Sequence, residues 1–458
     1  MISLFSRSQK SAAPAPNALL ASDPAAKTAW DYQKDDLYYT IKHKVHTRLI
    51  EEINLEALET MDMEDARPEL AKMVATVLSE EKALLNEEEF QFLVGEIVDE
   101  LRGFGPIEPF LRDPGVSDIL INTYRHIYIE RKGLLERTRS RFLNDRHLMT
   151  ILDRIVSRVG RRIDESTPMV DARLPDGSRV NAIIPPLAID GPIVSIRRFA
   201  VEPLKLEDLV RFGAITSEVG QFLAGCVKAK LNIMISGGTG AGKTTLLNVL
   251  SGFIPGNERI VTIEDAAELQ LQQEHVVRLE TRPASIEGTG MVAQRELVIN
   301  SLRMRPDRII LGEVRGPEAF DMLQAMNTGH DGSLTTIHAN TPRDSLTRLE
   351  SMILMTGVQL PEKAMRFMVS SALDLIVQAA RMPDGSRKIV SVSEVVGMEG
   401  DMITLQDIFI FEKRGLGENG KVLGRFRATG IRPKFADRLH LAGIRLPENL
   451  FSAERFYE

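Results

Sequence analysis

The sequence predicts an α/β protein in which a mainly parallel sheet is preceded by a smaller α+β domain and a small helical bundle. From about Arg211 onward, short apolar runs alternate with helix-like segments, which is typical of a parallel sheet. One of these runs passes through a glycine-rich turn into a helix. Helical periodicity dominates residues 30–101, and short strand-like runs dominate the next hundred.

Length and composition indicate a globular protein of several domains. The chain has 458 residues, of which 43% are hydrophobic and 26% charged, as in ordinary globular proteins of about three domains. We predict a disordered tail over residues 1–28, a helical bundle over 29–102, an α+β domain over 103–205 and the mainly parallel domain over 206–458. The single cysteine, Cys226, excludes an internal disulfide and is expected to be a small buried residue. No apolar run is long enough to span a membrane.

The helical region carries the clearest local signals. Asn86 precedes three glutamates, an arrangement typical of a helix N-cap with a glutamate at the third helical position. Pro68 is expected to start another helix. Apolar residues then recur at helical spacing at Phe90, Leu93, Val94, Ile97, Val98 and Leu101.

Charge is unevenly distributed. Residues 51–100 carry 16 acidic and 3 basic side chains, a net charge of −13, so the rest of the chain, whose total is −7, carries +6. We expect this acidic segment to be a solvated face, with docking to a basic partner as the alternative. The balance does not favour nucleic-acid binding, which requires a basic stripe.

The next region contains short strands and one helix. Ile119–Ile121 and His126–Ile129 resemble strands, Arg146–Val159 resembles a helix, and the Pro-Asp-Gly turn after Leu174 indicates a hairpin. A further strand from Ile193 runs into two arginines, Arg197 and Arg198.

The segment from Leu231 to Leu250 contains the pattern G-x-x-x-x-G-K-[ST], running from Gly237 to Thr244. An apolar run precedes it and a helix-like run follows. Glycines let the backbone N–H groups face a phosphate at a helix N-terminus. The sequence therefore predicts a nucleotide site in which Lys243 reaches the β- and γ-phosphates and Thr244 binds Mg²⁺. The predicted nucleotide-binding residues of this loop are Gly238, Thr239, Gly240, Ala241, Gly242, Lys243, Thr244 and Thr245.

Two later strands end in acids, as a Mg²⁺–nucleotide site requires. Ile260–Ile263 runs into Glu264 and Asp265, and Ile309–Leu311 runs through Gly312 into Glu313. Because a glycine occupies the usual aspartate position of a Walker B strand, Glu313 is expected to supply that carboxylate. The predicted metal ligands are Thr244, Glu264, Asp265 and Glu313. Either Glu264 or Glu313 could be the general base, and the sequence leaves this open.

A histidine and several arginines complete the predicted site. His338 follows the strand-like run Leu334–Ile337 and is expected to contact a phosphate at the end of a parallel strand. Thr341 and Pro342 then start a helix. Positive charge must meet the γ-phosphate in the transition state. The candidate residues for this charge are Arg278, Arg282, Arg197 and Arg198.

These blocks, in this order, resemble the ATPase superfamily that powers type II and type IV secretion and type IV pili. The CpaF-like branch, of the Tad/Flp tight-adherence pili, is most similar. The similarity covers about Glu87 to Val396 and rests on GFGPIEPFLRDPGVSDILIN from Gly103, SGGTGAGKTT, HVVRLETRP from His275 and RMRPDRIILGEVRGPEAFDMLQAMNTGHDGSLTTIHAN from Arg303. Relatives that extend pili often carry four cysteines for zinc, which this chain lacks.

The resemblance implies a RecA-like P-loop ATPase domain behind an α+β N-terminal domain. It implies a hexameric, cytoplasmic ATP hydrolase that uses ATP and Mg²⁺ between these domains, with arginines reaching the nucleotide. Its partner would be an inner-membrane platform for pilus assembly, reached from the cytoplasmic face. Three alternatives stay open: export of protein effectors by a secretion system, a nucleic-acid motor, and a nucleotide-switched scaffold that does not hydrolyse. Extension, retraction and the cargo are not decided by the sequence.

Overall fold

The computed structural model describes residues 32–52, 63–83, 85–131, 133–174, 176–198, 203–282, 289–417, 420–447, 449–453 and 456–457. The tail predicted over residues 1–28 lies outside these ranges. The chain divides into two compact units, Met1–Pro106 and Ile107–Glu458. The domain boundaries given above stay predictions.

In the described part of the first unit, three helices pack against one another: α1 (Tyr32–Glu52), α2 (Met63–Glu80) and α3 (Glu87–Arg102). The capping prediction is confirmed, because Asn86 Oδ1 accepts from Glu89 N at 2.8 Å and Asn86 N donates to Glu89 Oε2 at 3.0 Å. The prediction for Pro68 is wrong, since α2 begins at Met63 and Pro68 lies inside it. Proline removes one intrahelical hydrogen bond, and burial of the later turns offsets that loss.

The second unit begins with a six-stranded antiparallel sheet in the order β3-β2-β1-β6-β5-β4. Its strands are β1 (Val116–Thr123), β2 (His126–Arg131), β3 (Leu134–Arg137), β4 (Met169–Arg173), β5 (Arg179–Ile183) and β6 (Ile193–Arg197). Among the described residues of this region lie the helices α4 (Glu108–Arg112) and α5 (Asp145–Ser157), and a 3₁₀ turn covers Gly105–Ile107 at the boundary of the two units. The predicted strands, helix and hairpin of this region are confirmed.

The second sheet has ten strands among the described residues, in the order β16-β15-β14-β13-β12-β7-β11-β10-β8-β9. The run from β12 to β9 is parallel and β13 to β16 are antiparallel. The strands are β7 (Ile233–Gly237), β8 (Ile260–Glu264), β9 (Val276–Glu280), β10 (Arg308–Val314), β11 (Leu334–Ile337), β12 (Leu375–Arg381), β13 (Arg387–Glu399), β14 (Met402–Leu416), β15 (Val422–Ala428) and β16 (Phe456–Tyr457).

Helices cover both faces of this sheet, which explains why its central strands β7, β8 and β11 are buried along their whole length. Ile233 and Ile235 enter one buried cluster, and Met234, between them, enters the other. The helices are α6 (Leu206–Arg211), α7 (Ser217–Lys228), α8 (Lys243–Ser251), α9 (Gln294–Ser301), α10 (Glu318–Asn327), α11 (Pro342–Leu354), α12 (Glu362–Ala372) and α13 (Ala436–Leu441). Cys226 of α7 is buried, as predicted. None of the described helices has the length and hydropathy that a membrane crossing demands.

The parallel part of the sheet fixes the place of the site. The strand that enters the glycine-rich loop, β7, lies between β11 and β12, and β11 separates it from β10, with β8 beyond. The carboxyl ends of β7, β11, β10 and β8 therefore lie side by side. These ends carry the loop, His338, Glu313 and Glu264, the residues that the sequence assigns to one site.

Candidate nucleotide site

The P-loop has the local structure that its sequence predicts. Strand β7 is fully buried and α8 starts at Lys243, with Gly242 as its N-cap. Gly240 and Gly242 have φ values of +69° and +90°, a region that favours glycine. A Cβ on Gly237 would lie 2.5 Å from Ala379 O, so this position also requires glycine. Thr244 and Thr245 are half-buried in the first turn of α8, and Thr239 is exposed.

Lys243 lies at the centre of a short chain of polar contacts. Its Nζ donates to Gly238 O at 3.0 Å and lies 3.1 Å from His338 Nε2. The same His338 nitrogen lies 3.0 Å from Glu313 Oε1. Burial lowers the pKa of both Lys243 and His338. The Nε2 atom can accept a hydrogen bond from Lys243 when it carries no proton, or donate one to Glu313 when it does, but not both. The protonation of Nε2 therefore determines which of the two residues His338 binds.

Arg315 extends this chain to the neighbouring strand. Its guanidinium donates to Glu313 Oε2 at 2.7 Å and to Asp265 Oδ2 at 3.3 Å. The hydrogen bond to Glu313 raises the pKa of Arg315. Arg315 was not among the predicted site residues, although it follows the Walker B glutamate by two positions.

Glu264 has a different environment. Its side chain is buried, and its Oε2 accepts from the backbone N–H groups of Glu268 and Leu269 at 2.7 and 3.0 Å. Among the described residues its other oxygen, Oε1, is buried and has no hydrogen-bond partner. Burial raises the pKa of this carboxyl to about 7, although the two N–H groups and Arg278 oppose the shift.

The glycine in the Walker B strand has a direct structural reason. A Cβ on Gly312 would lie 2.9 Å from Glu264 Cγ. The Glu264 side chain therefore fills the space that an aspartate at position 312 would take. Two carboxylates from neighbouring strands, Glu264 and Glu313, are thus presented at the end of β8 and β10.

The candidate arginines differ in what they contact. Arg197 pairs with Asp118 at 3.3 Å and acts electrostatically on Lys243. Arg198 instead binds the carbonyls of Asp113 and Val116, within its own sheet.

The other two arginines follow β8 in the chain. Arg278 acts on Glu264 electrostatically. Arg282 donates to Gly290 O at 2.6 Å and lines a cleft together with Arg197, Arg315 and Asp265.

This cleft, of about 950 Å³, lies between the six-stranded and ten-stranded sheets. Arg173 and Arg179 of the smaller sheet also line it. Arg173 reaches Glu280 at 3.1 Å and Ala267 O at 2.9 Å, and Arg179 reaches Glu268 at 3.1 Å. Since Glu268 N also binds Glu264, the smaller sheet is tied directly to the loop that holds Glu264.

Sequence reasoning missed several further residues. Arg348 of α11 acts electrostatically on both Lys243 and His338. Gln378 Nε2 donates to Ala339 O at 3.2 Å and Asn340 O at 3.1 Å, which holds the loop after His338. Arg387 donates to Gly240 O in the P-loop at 3.1 Å. Nothing in the spacing of these residues distinguishes them, because the sheet brings them together from distant strands.

Comparison with known proteins decides the family. A sequence profile described as "Type II/IV secretion system protein" matches residues 100–402. The chain belongs to this family. A relative from Mycobacterium tuberculosis, named for conjugal transfer, is 37% identical over 307 residues, covering 66% of this chain and 87% of the relative. The type IV secretion system protein PtlH of Bordetella pertussis is 35% identical over 311 residues, covering 62% and 91%.

A solved structure of the VirB11 ATPase from the Brucella suis type IV secretion system is 30% identical to this chain. The alignment covers 63% of the chain described here and 92% of the VirB11 chain, with a TM-score of 0.35. Membership of the secretion family makes the chain described here an ATPase. Its mainly parallel sheet, with helices on both faces, is the α/β fold that the sequence predicted. Nucleotide binding follows from the same membership.

Proposed function

We propose that this secretion-family ATPase is a hexameric motor that powers assembly of a Tad/Flp type IV pilus. It would act through an inner-membrane platform from the cytoplasmic face. The hexamer, the membrane platform and the Tad/Flp pilus rest on the resemblance in sequence described above. The ATP-hydrolysing activity is supported by the contact chain from Lys243 through His338 and Glu313 to Arg315 and Asp265. It runs across the ends of adjacent parallel strands beside a complete P-loop, where a hydrolysed phosphate would lie.

Lys243 and His338 would respond to the nucleotide. In the structure Lys243 Nζ is held by Gly238 O and His338. An incoming β,γ-phosphate pair is a stronger partner for the ammonium group, so Lys243 would turn to the phosphates. His338 Nε2 would then be free to donate to Glu313. The histidine would thereby connect phosphate occupancy to the Walker B carboxylate.

We assign Glu264 as the general base and Glu313 to the metal side of the site. Glu264 Oε1 is buried without a partner among the described residues, whereas the oxygens of Glu313 bind Arg315 and His338. A free carboxylate oxygen in a buried position can accept a proton from an attacking water. Arg197, Arg278, Arg282 and Arg315 would meet negative charge that develops on the γ-phosphate.

Mg²⁺ would be held by Thr244, Asp265 and Glu313, with Glu264 near its water shell. No group of three or more His, Cys, Asp or Glu side chains in the described part of the chain forms a metal site by itself. That pattern fits Mg²⁺, which keeps several waters and uses few carboxylates together with substrate phosphates. When bound, Mg²⁺ neutralises charge on the β- and γ-oxygens.

The motor role rests on the contacts between the two sheets. Arg173 and Arg179 fasten the smaller sheet to Glu280, Ala267 and Glu268, and Glu268 N in turn holds Glu264. A change at the nucleotide therefore acts on the strands that position the smaller domain. In a ring, successive changes of this kind would move a partner.

Export of effector proteins by a secretion system is the second candidate, because relatives are named for type IV secretion and conjugal transfer. A nucleic-acid motor is less well supported, since the net charge is −7 and no basic stripe is present in the sequence.

The test is a membrane pull-down with the Glu313→Gln variant held in ATP. Slow turnover should trap the nucleotide-bound ring. Recovery of pilus platform proteins, with none for the Lys243→Ala variant in the same ATP, supports the proposal. Recovery of effector-export components supports the second candidate, and recovery of nucleic acid contradicts both.

A further inference from the structure

Two arginines at the base of the β12–β13 hairpin lie against the P-loop and have no role in the proposed chemistry. Arg381 ends β12 and Arg387 begins β13, and they face each other in the strand register. The turn between them is tightly held, because Asp384 accepts from Ser386 and from Val422 N. These hydrogen bonds lower the pKa of Asp384 to about 2. The two arginines therefore lie at the base of a hairpin whose turn is held by hydrogen bonds.

Arg387 contacts the P-loop and the smaller sheet at once. Its Nε donates to Gly240 O at 3.1 Å, and its Nη2 lies 3.6 Å from Glu130 Oε1 of β2. Arg381 adds a second link, since it donates to Gly133 O in the turn between β2 and β3. A Cβ on Gly133 would lie 3.4 Å from Gly385 O, so the turn and the hairpin are in close contact.

We propose that Arg387 is a positioning residue that couples the shape of the P-loop to the six-stranded sheet through Glu130. Nucleotide affinity then depends on Glu130, a carboxylate in a different sheet from the P-loop. The inference rests on the proposed nucleotide site and adds a regulator to it. It links the phosphate side of the cleft to the smaller sheet, whereas Arg173 and Arg179 link the acid side.

The chemistry of the two contacts explains why they act together. The Gly240 carbonyl belongs to a peptide unit of the loop, so a donor that holds this oxygen also fixes the direction of the neighbouring N–H groups. Those N–H groups must face the phosphates. A guanidinium group has several donors in a planar fork and can hold a carbonyl and a carboxylate simultaneously. A lysine ammonium at the same place would act as a point donor and serve one partner well.

The effect of Glu130 on nucleotide affinity can be distinguished from an effect on folding stability. The Glu130–Arg387 pair is long, at 3.6 Å, and partly exposed, with 41% of the Arg387 side chain and 17% of the Glu130 side chain accessible, and such pairs contribute little to folding. Loss of Glu130 should thus leave the melting temperature almost unchanged. Its effect should be seen in nucleotide affinity instead.

The experiment measures the Kd of a fluorescent ATP analogue, with Mg²⁺, for the full-length wild type and for Arg387→Ala, Arg387→Lys, Glu130→Gln and the Arg387→Ala/Glu130→Gln double variant. Glu136→Gln and Arg414→Ala, which change exposed charges in the same unit, are the matched controls. We expect Arg387→Ala to weaken binding about tenfold and Glu130→Gln about two- to fivefold. Arg387→Lys should lie between wild type and Arg387→Ala. The double variant should match Arg387→Ala, because Glu130 acts only through Arg387.

Three outcomes would overturn the coupling. Glu130→Gln could bind as tightly as the wild type, the losses in the double variant could multiply, or the control variants could weaken binding as much. Failure of the proposed function looks different: the wild type would not bind the analogue, or Lys243→Ala would bind it equally well. That result would overturn the nucleotide site and this inference with it.

Discussion

Replacing Gly312 by alanine tests the arrangement of the two carboxylates most sharply. The added Cβ would lie 2.9 Å from Glu264 Cγ and 3.6 Å from both its Cβ and Oε2. Carbon atoms in contact normally lie about 3.5–4.0 Å apart, so something must move by roughly 0.6–1 Å. Because β10 is paired on both sides as far as Leu311 and Gly312 O accepts from Thr336 Oγ1 at 2.8 Å, we expect the Glu264 side chain to move rather than the strand.

The size of the effect follows from that displacement. A misplacement of about 1 Å at a reacting group costs on the order of 100-fold in rate. We therefore expect Gly312→Ala to lower kcat by about 30- to 100-fold. Binding of the nucleotide should change little, since the P-loop, Lys243 and Thr244 are not touched by the new methyl group.

The assay is steady-state ATP turnover together with nucleotide affinity and melting temperature. Gly256→Ala is the matched control, because a Cβ there has no heavy atom within 4 Å and should leave all three quantities unchanged. Gly312→Asp, which restores the usual Walker B acid, should be at least as inactive as Gly312→Ala. Wild-type turnover in Gly312→Ala, or higher turnover in Gly312→Asp, would refute the role given to Glu264.

Two further predictions concern stability. Burial raises the pKa of Glu264 to about 7 in the folded protein, from its ordinary value of 4.5, so the folded protein holds this proton more tightly than the unfolded chain. Without Mg²⁺ or nucleotide, the free energy of unfolding of the wild type should fall as the pH rises between these values. Glu264→Gln should therefore be more stable than wild type at pH 8 by up to about 3 kcal/mol, and this gain should shrink below about pH 5. Denaturant unfolding of both proteins at pH 8 and below about pH 5 checks this, and an equal difference at the two pH values would contradict it. Gly332→Ala should lower the free energy of unfolding by at least about 3 kcal/mol. The φ of Gly332 is +80°, and an added Cβ would lie 1.9 Å from Nη1 of the buried Arg308, which is bonded to Glu258 at 2.6 Å. A melting temperature equal to that of the wild type would contradict this, because it would show that the ion pair can rearrange freely.

Much of the fold could be predicted because its signals are local. The apolar runs at Ile233, Ile260, Ile309, Leu334 and Leu375 all became strands of the larger sheet. Short apolar runs that are bounded by turns or helix caps indicate buried strands. Their order in the sheet could not be predicted from periodicity, since it depends on which helices cover each face.

The antiparallel extension is the part of the fold that the sequence left out. Strands β13 and β14 are 13 and 15 residues long, yet their alternation is interrupted by glycines and by polar residues on a half-exposed face. The turn of the β12–β13 hairpin, at Asp384, has the same Pro-Asp-Gly sequence as the predicted turn after Leu174, but that turn does not reveal the long strands. As a result, Arg381 and Arg387, which that hairpin places beside the P-loop, were not expected to be near it.

The site was predictable where a motif fixes geometry. The P-loop, Glu264, Glu313 and His338 are brought together as expected, because each follows a neighbouring strand of one parallel sheet. The expectation that Glu313 supplies the Walker B carboxylate stays a prediction, and the packing of Glu264 into the space beside Gly312 was not expected. That packing depends on the pairing of β8 with β10, which no local pattern encodes.

The most direct test of the account is ATP hydrolysis by the purified protein and by its Lys243→Ala and Glu313→Gln variants, with Mg²⁺ present. The account predicts turnover by the wild type. It predicts no turnover by Lys243→Ala, because the phosphates lose their cation, and strongly slowed turnover with retained nucleotide binding by Glu313→Gln. Equal turnover by all three proteins would contradict the site described here.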